Sequence, residues 1–232
     1  MTRPGAPLSH LLTRAVGSIA HAAPAGDETE ARVLDAAIAV LARKGTREAT
    51  MDDVAAESGV GRTTLFRRFA GKDQLFERAL AREFSRMLDG LTERIALVTD
   101  PTDQLVEGFA AFLHLVHRHP LFGVGDPERR AELVQALDHG DPSPMRWGHT
   151  AVRTHLAAAQ SAGALPPGDP DRQADAVVHL TLGYVAAPSL VDDLADLAAI
   201  ERFARIAITP ILTGTPPPVS PRTRKRKRAQ PN

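Results

Sequence analysis

The stretch from Thr50 to Phe69 constrains the fold more than any other part of the chain, because it sets two short helical patterns about one glycine. Thr50 is placed to accept the amide of Asp53 while Asp53 reaches back, the reciprocal cap that opens a helix ahead of an apolar run. A helix is therefore expected from about Met51. It stops at Gly59, since the left-handed residue just past a helix end is cheap for glycine and costly for a side chain with a Cβ. The turn is Ser58 to Gly61. From Arg62 onward, Leu65, Phe66 and Phe69 recur every three or four residues and are expected to bury one face, which throws Thr63, Thr64, Arg67 and Arg68 outward. Two short helices about a glycine turn, the second basic on its outer face, predict a helix-turn-helix. Glycine turns and solvated arginines also occur in ordinary helix pairs, so periodicity alone leaves DNA binding open.

The residues themselves carry more. Thr50, Ala55, Gly59, Val60, the run Gly61-Arg62-Thr63-Thr64-Leu65-Phe66, then Phe69 and Gly71-Lys72-Asp73-Gln74-Leu75 hold one register without a gap. In that register the chain resembles the DNA-binding segment of the tetracycline-repressor (TetR) family of bacterial transcriptional regulators. The resemblance covers about a fifth of the chain closely. It implies a recognition helix opening at Arg62, Thr63 and Thr64, with Arg62 placed for a bidentate contact to guanine and Thr63 for a thymine methyl. Thr50 and Lys72 stand at helix N-termini, where they can hold phosphates, and Arg47, Arg67 and Arg68 add charge. Four positions depart from the family pattern. Gly61 and Gly71 replace serine caps, Thr63 replaces glycine, and Phe66 replaces a tyrosine whose hydroxyl would reach a phosphate.

The rest of the chain reads as helix throughout. Asp27 to Gly45 is a first helix that supplies the floor for Val54, Leu65, Phe66 and Phe69, and the DNA-binding domain spans 27–71. A long helix then runs from Lys72 to about Val98, the mechanical link to a second domain over 72–213. Further helices are expected from Pro101 to before Pro120, from Pro127 to Asp138, and from Met145 to Ala162 with Trp147, Ala151, Thr154, His155 and Ala158 along one side. Two more cover Asp171 to Ala186 and Asp192 to Leu212. The Asp141-Pro142-Ser143-Pro144 turn separates two of these. No strand alternation or repeat is present, so the fold class is all-α with about nine helices.

The ends are read differently. Residues 1–26, with Pro4, Pro7 and Gly17 among short apolar runs, read as a disordered arm and not as a signal peptide, which needs a continuous apolar stretch of about seven or more residues. Residues 214–232 read as a disordered tail. Six of the 28 Lys and Arg lie in the last eleven residues, leaving 22 basic against 28 acidic residues in the body. This tail is expected to give non-specific DNA affinity or mere solvation. Between Arg43 and Arg82 nine bases face six acids, the local excess that phosphate binding needs. Cysteine is absent, and no run of about eighteen apolar residues could span a membrane, so a cytoplasmic protein is expected.

For the second domain the resemblance implies a small-molecule pocket and a homodimer formed through the last two helices. No motif in residues 100–212 identifies the effector. Pocket candidates are the polar and aromatic residues set among apolar ones: His114, His117, Trp147, Arg153, His155, His179 and Tyr184. His114, His117 and His119 could alternatively hold a metal, or His114 and His117 serve an enzyme as acid and base. No ligand spacing, nucleophile motif or carboxylate pair accompanies them, so no catalytic residue, metal or cofactor is assigned. The expected partners are double-stranded DNA at a palindromic operator, a second copy of the chain, and an unidentified effector. A regulator without an effector is the alternative.

Overall fold

The computed structural model describes residues 6–18, 26–122, 127–138, 143–187 and 189–214. Among them are eleven helices and no strand: α1 (Leu8–Ser18), α2 (Glu28–Glu48), α3 (Met51–Ser58), α4 (Arg62–Arg68), α5 (Lys72–Ala96), α6 (Pro101–Arg118), α7 (Pro127–Asp138), α8 (Pro144–Ser161), α9 (Pro170–Ala186), α10 (Leu197–Ala207) and α11 (Thr209–Thr213).

Local sequence dictates the small unit α2–α4. Asp27 caps α2 by accepting the Glu30 amide at 2.8 Å. The helix breaks at Gly45, whose φ of 69° is left-handed, and the chain turns there toward α3. Thr50 and Asp53 form the reciprocal cap of α3, and Gly59 ends that helix at φ 65°. A Cβ at Gly59 would meet nothing within 4 Å, so alanine there suffers only the backbone penalty. Gly59→Ala is expected to cost about 1 kcal/mol in urea unfolding, and a loss of a few tenths would mean that the turn relaxes freely.

The long α5 is unbroken at Gly90 and connects this unit to α6–α11. Arg82 and Arg86 of α5 meet Asp35 of α2 at 2.7 and 2.8 Å, and Arg82 also donates to the Ala31 carbonyl at 3.2 Å. Burial pushes the Asp35 carboxyl up, but the hydrogen bonds from both guanidiniums outweigh it and hold it below the usual range. Farther along the chain, α7 also reaches the α2–α4 unit, where Arg129 donates to the Ala42 carbonyl near the end of α2 at 2.7 Å. The core runs without a break from Val33 and Leu65 through Phe76 and Leu113 to Ile200 and Leu212. At its far end Phe203 of α10 meets Phe109 of α6 and Tyr184 of α9, with ring centroids 5.9 and 4.6 Å apart.

Three expectations change. Residues 8–18 are not a disordered arm. They form α1, whose Leu8, Leu11, Leu12 and Ala15 are buried on α5 and α7, with Ala6 N donating to Asp73 and Arg14 paired with Glu77 at 2.7 Å. Their spacing of three and four is helical, and Pro7 sits just before the first turn, where its missing N–H is harmless. The helix expected from Asp192 to Leu212 is two: Asp196 caps α10, and Pro210 is accommodated in the first turn of α11. Ser143 likewise caps α8 with Pro144 in its first turn, so that proline starts a helix. The side of α8 bearing Trp147, Ala151, Thr154 and Ala158 faces solvent, because Leu156 and Ala159 are the residues that meet the core. The basic run in 215–232 lies outside the described residues.

Candidate nucleic-acid interface

Helix α4 is seven residues long, too short to be stable alone, and it is held by Leu65 and Phe69, which are buried one turn apart. Gly61 gives it no side-chain cap, as expected of glycine. Phe66 does not join that buried face as its spacing suggested. It lies about 100° around the helix from Leu65 and is 47% exposed. The Arg62 guanidinium sits 5.6 Å from its ring centroid, so arginine and ring present one surface. Arg62 Nε also meets Asp52 at 3.0 Å, with both side chains largely exposed, a pair of the kind worth little and readily exchanged. Thr63 and Arg67 are exposed and Thr64 is half-buried; Arg67 forms no ion pair among the described residues.

Two other expected cations behave differently from each other. Lys72 opens α5 and donates Nζ to the Arg47 carbonyl at 3.3 Å, which sets the two cationic residues side by side. Burial pushes the Lys72 ammonium down from its usual value. Arg68, expected to face outward, folds back instead. It grips Asp27 with both terminal guanidinium nitrogens, Nη1 and Nη2, at 3.0 and 2.5 Å, and Glu30 lies 3.9 Å away. The hydrogen bonds from Arg68 hold the Asp27 carboxyl below its usual range. Arg68 thus ties the end of α4 to the start of α2, a contact that spacing could not reveal because its partner is 41 residues away.

Thr50 is more committed than its sequence role implied. Its hydroxyl accepts the Asp53 amide at 3.1 Å and donates to the Asp53 carboxylate at 2.8 Å. Lys44 closes on the same carboxylate at 2.7 Å and, with Thr50, holds it below the usual range. The Thr50 side chain therefore serves the turn first. An unforeseen contact is Gln74, whose Oε1 accepts the Ala70 amide at 2.6 Å and ties down the turn ahead of α5, while the first-turn amides of α5 have no side-chain cap at Gly71. Its signal was a glutamine at the third helical position.

The effector candidates do not converge. His114 alone lines a groove of about 410 Å³ between α5 and α6. His117 is buried with Nδ1 on the Leu113 carbonyl at 2.9 Å, and His155 lies 3.2 Å from the Pro101 carbonyl. Trp147 is exposed, Arg153 pairs with Asp171 at 2.6 Å, and His179 is exposed beside Asp175. Tyr184 packs on Phe203. His119 has both ring nitrogens engaged, by Glu83 at 3.1 Å and the Leu121 amide at 3.2 Å. No group of three or more His, Asp or Glu among the described residues could hold a metal ion.

Residues 33–79, which hold α3, α4 and the flanking parts of α2 and α5, match the sequence profile of bacterial regulatory proteins of the tetR family. The chain is 26% identical over 185 residues to an uncharacterized HTH-type transcriptional regulator of Mycobacterium tuberculosis, covering 77% of this chain and 85% of that protein. Its fold is similar to a TetR-family transcriptional regulator from Streptomyces coelicolor, with TM-score 0.57, 21% identity, and 84% and 93% of the two chains covered. It is also similar to the regulator FadR from Bacillus subtilis in complex with stearoyl-CoA, with TM-score 0.52, 14% identity, and 80% and 98% covered. With a capped α3, a glycine turn and an exposed basic α4, residues 33–79 carry the helix-turn-helix segment of the tetR family of bacterial regulatory proteins, and the chain as a whole is similar in sequence and fold to transcriptional regulators of that type.

Proposed function

We propose that the chain is a dimeric repressor that sets α4 into the major groove of a palindromic operator and leaves it when a small molecule occupies the domain of residues 72–213. The observation that carries the DNA reading is the surface of α4. Arg62, Thr63, Phe66 and Arg67 project from a helix fixed from behind by Leu65 and Phe69, and Lys72 at the start of α5 is held by the Arg47 carbonyl. Arg62 reads a base, Thr63 offers a methyl, and Arg67, Arg47 and Lys72 meet phosphates. Phe66 has no hydroxyl to donate, so it acts by holding Arg62. Arg68 is assigned to the fold of residues 27–71 and not to DNA.

Dimerisation is supported by exposed apolar side chains at the C-terminal end: Leu190 and Val191 after α9, and Ile206 on α10. A two-fold dimer is the commonest assembly and sets two recognition helices about 34–36 Å apart, one DNA turn. The same fold in the Bacillus subtilis FadR is seen with stearoyl-CoA, which supports an effector without naming it. Among the described residues no helix is long and apolar enough to cross a membrane, and the work proposed here belongs in the cytoplasm, where the operator is. No enzymatic step is assigned, since His117, His119 and His155 are each tied to backbone or carboxylate.

A salt titration tests the DNA reading. Wild type is expected to bind duplex DNA with log K falling linearly in log salt, at a slope of about −0.9 for each phosphate neutralised. Lys72→Ala should weaken operator and scrambled duplex about equally and lower that slope by about one. No binding at low salt would contradict the proposal.

A further inference from the structure

The groove between the C-terminal half of α5 and α6 has apolar walls at Leu91 and Leu115, while Gly90 leaves room on the α5 side. Its polar lining is made of Arg94, His114, Arg118 and His119, with no carboxylate among the lining residues. These four are not equivalent. Arg94 is neutralised by Glu107 at 2.5 Å, and His119 is occupied on both nitrogens. Arg118 is exposed and forms no ion pair among the described residues. His114 is half-buried, and its Nδ1 is buried without a hydrogen-bond partner among the described residues. An orphaned buried lone pair is less costly than an orphaned buried N–H, which favours the ring proton on Nε2, free to be donated. A mostly apolar concavity of this volume with two convergent, uncommitted donors is the form of a small-molecule site. The donors require an acceptor, and the positive charge of the Arg118 guanidinium, paired with no carboxylate among the described residues, favours an anionic acceptor over a neutral one.

We propose that this groove binds a small organic anion, a carboxylate or phosphate head on a compact apolar body, with the head on Arg118 and His114 and the body against Leu91 and Leu115. The groove also touches the lever on the DNA-binding unit. His119 accepts the Leu121 amide at Nδ1, so its own proton lies on Nε2 and is donated to Glu83. Glu83 lies 3.8 Å from Arg86, and Arg86 is 2.8 Å from Asp35 on α2. An anion beside His119 competes with Glu83 for that ring, which frees Glu83 to draw Arg86 from Asp35 and loosens α2 on α5. This relay rests on the effector-responsive reading above; the binding itself does not.

Calorimetric titration of the full chain with octanoate, benzoate and phenyl phosphate tests the site, with octanol as the neutral control. At least one anion is expected to bind saturably, one per chain, with Kd below about 1 mM, and about tenfold or more tighter than octanol. Arg118→Ala, which removes an exposed and unpaired side chain, should unfold at the wild-type temperature and bind the anion about tenfold or more weakly. Octanol binding as well as the anions, Arg118→Ala binding as well as wild type, or no anion binding below about 1 mM each overturns the site. The relay is read separately, as the affinity for duplex DNA with and without the bound anion. It should fall in wild type and stay unchanged in Glu83→Gln, which keeps an acceptor for His119 but loses the charge that draws Arg86. An anion that binds yet leaves wild-type DNA affinity unchanged overturns the relay alone. A chain that binds the anion but never binds DNA overturns the DNA reading and leaves the site standing.

Discussion

Leu12→Ala is expected to destabilise the folded chain by about 2–5 kcal/mol, the range for emptying a well-packed leucine site. Leu12 and its neighbour Leu11 are both completely buried, in the seam that α1 fills between α5 and α7. A leucine on an arm in solution would instead change stability by less than about 0.5 kcal/mol. Urea unfolding at one fixed protein concentration separates the two, the concentration held because a dimer adds mass action to the midpoint. A shifted midpoint with an unchanged slope identifies lost packing. The N-terminal segment is thereby part of the fold that steadies the start of α5, where Asp73 and Glu77 receive it.

Arg62→Ala is expected to lose about 1–3 kcal/mol of discrimination between operator and scrambled duplex while keeping the fold and most of its affinity for the scrambled duplex. Its partners in the free chain, Asp52 and the Phe66 ring, are exposed and make no demand that the helix cannot meet without it. Should Arg62→Ala instead weaken both duplexes equally and lower the salt slope, Arg62 grips a phosphate, and the base-reading role passes to Thr63 or Arg67. Phe66→Ala gives a milder version of the Arg62 result, because the guanidinium loses the face it rests on.

The turn chemistry was readable because it is local. Thr50 and Asp53 are three residues apart, Gly59 and Gly45 need only their own φ, and α5 and α7 follow from spacing and prolines. What failed needed a partner. Periodicity says that Phe66 and Leu65 are helical neighbours but not which of them enters the core, and on α8 it groups Trp147, Ala151, Thr154 and Ala158 without saying that their side faces solvent. Nothing near Arg68 marks Asp27 as its partner. Helix α1 was within reach, since Leu8, Leu11, Leu12 and Ala15 keep helical spacing. The prolines and glycine around it hid that pattern. Residue type alone does not locate a pocket: six of the seven effector candidates lie away from the groove, while Arg118, a plain surface arginine in sequence, lines it.

Selection of binding sites from a randomised duplex library with the purified protein tests the central claim most directly. The account predicts an inverted repeat whose half-site centres lie one helical turn, or a whole multiple of it, apart, with a guanine position that loses its enrichment when the selection is repeated with Arg62→Ala. Recovered sequences with no shared motif, or a motif that Arg62→Ala leaves intact at every position, would contradict it.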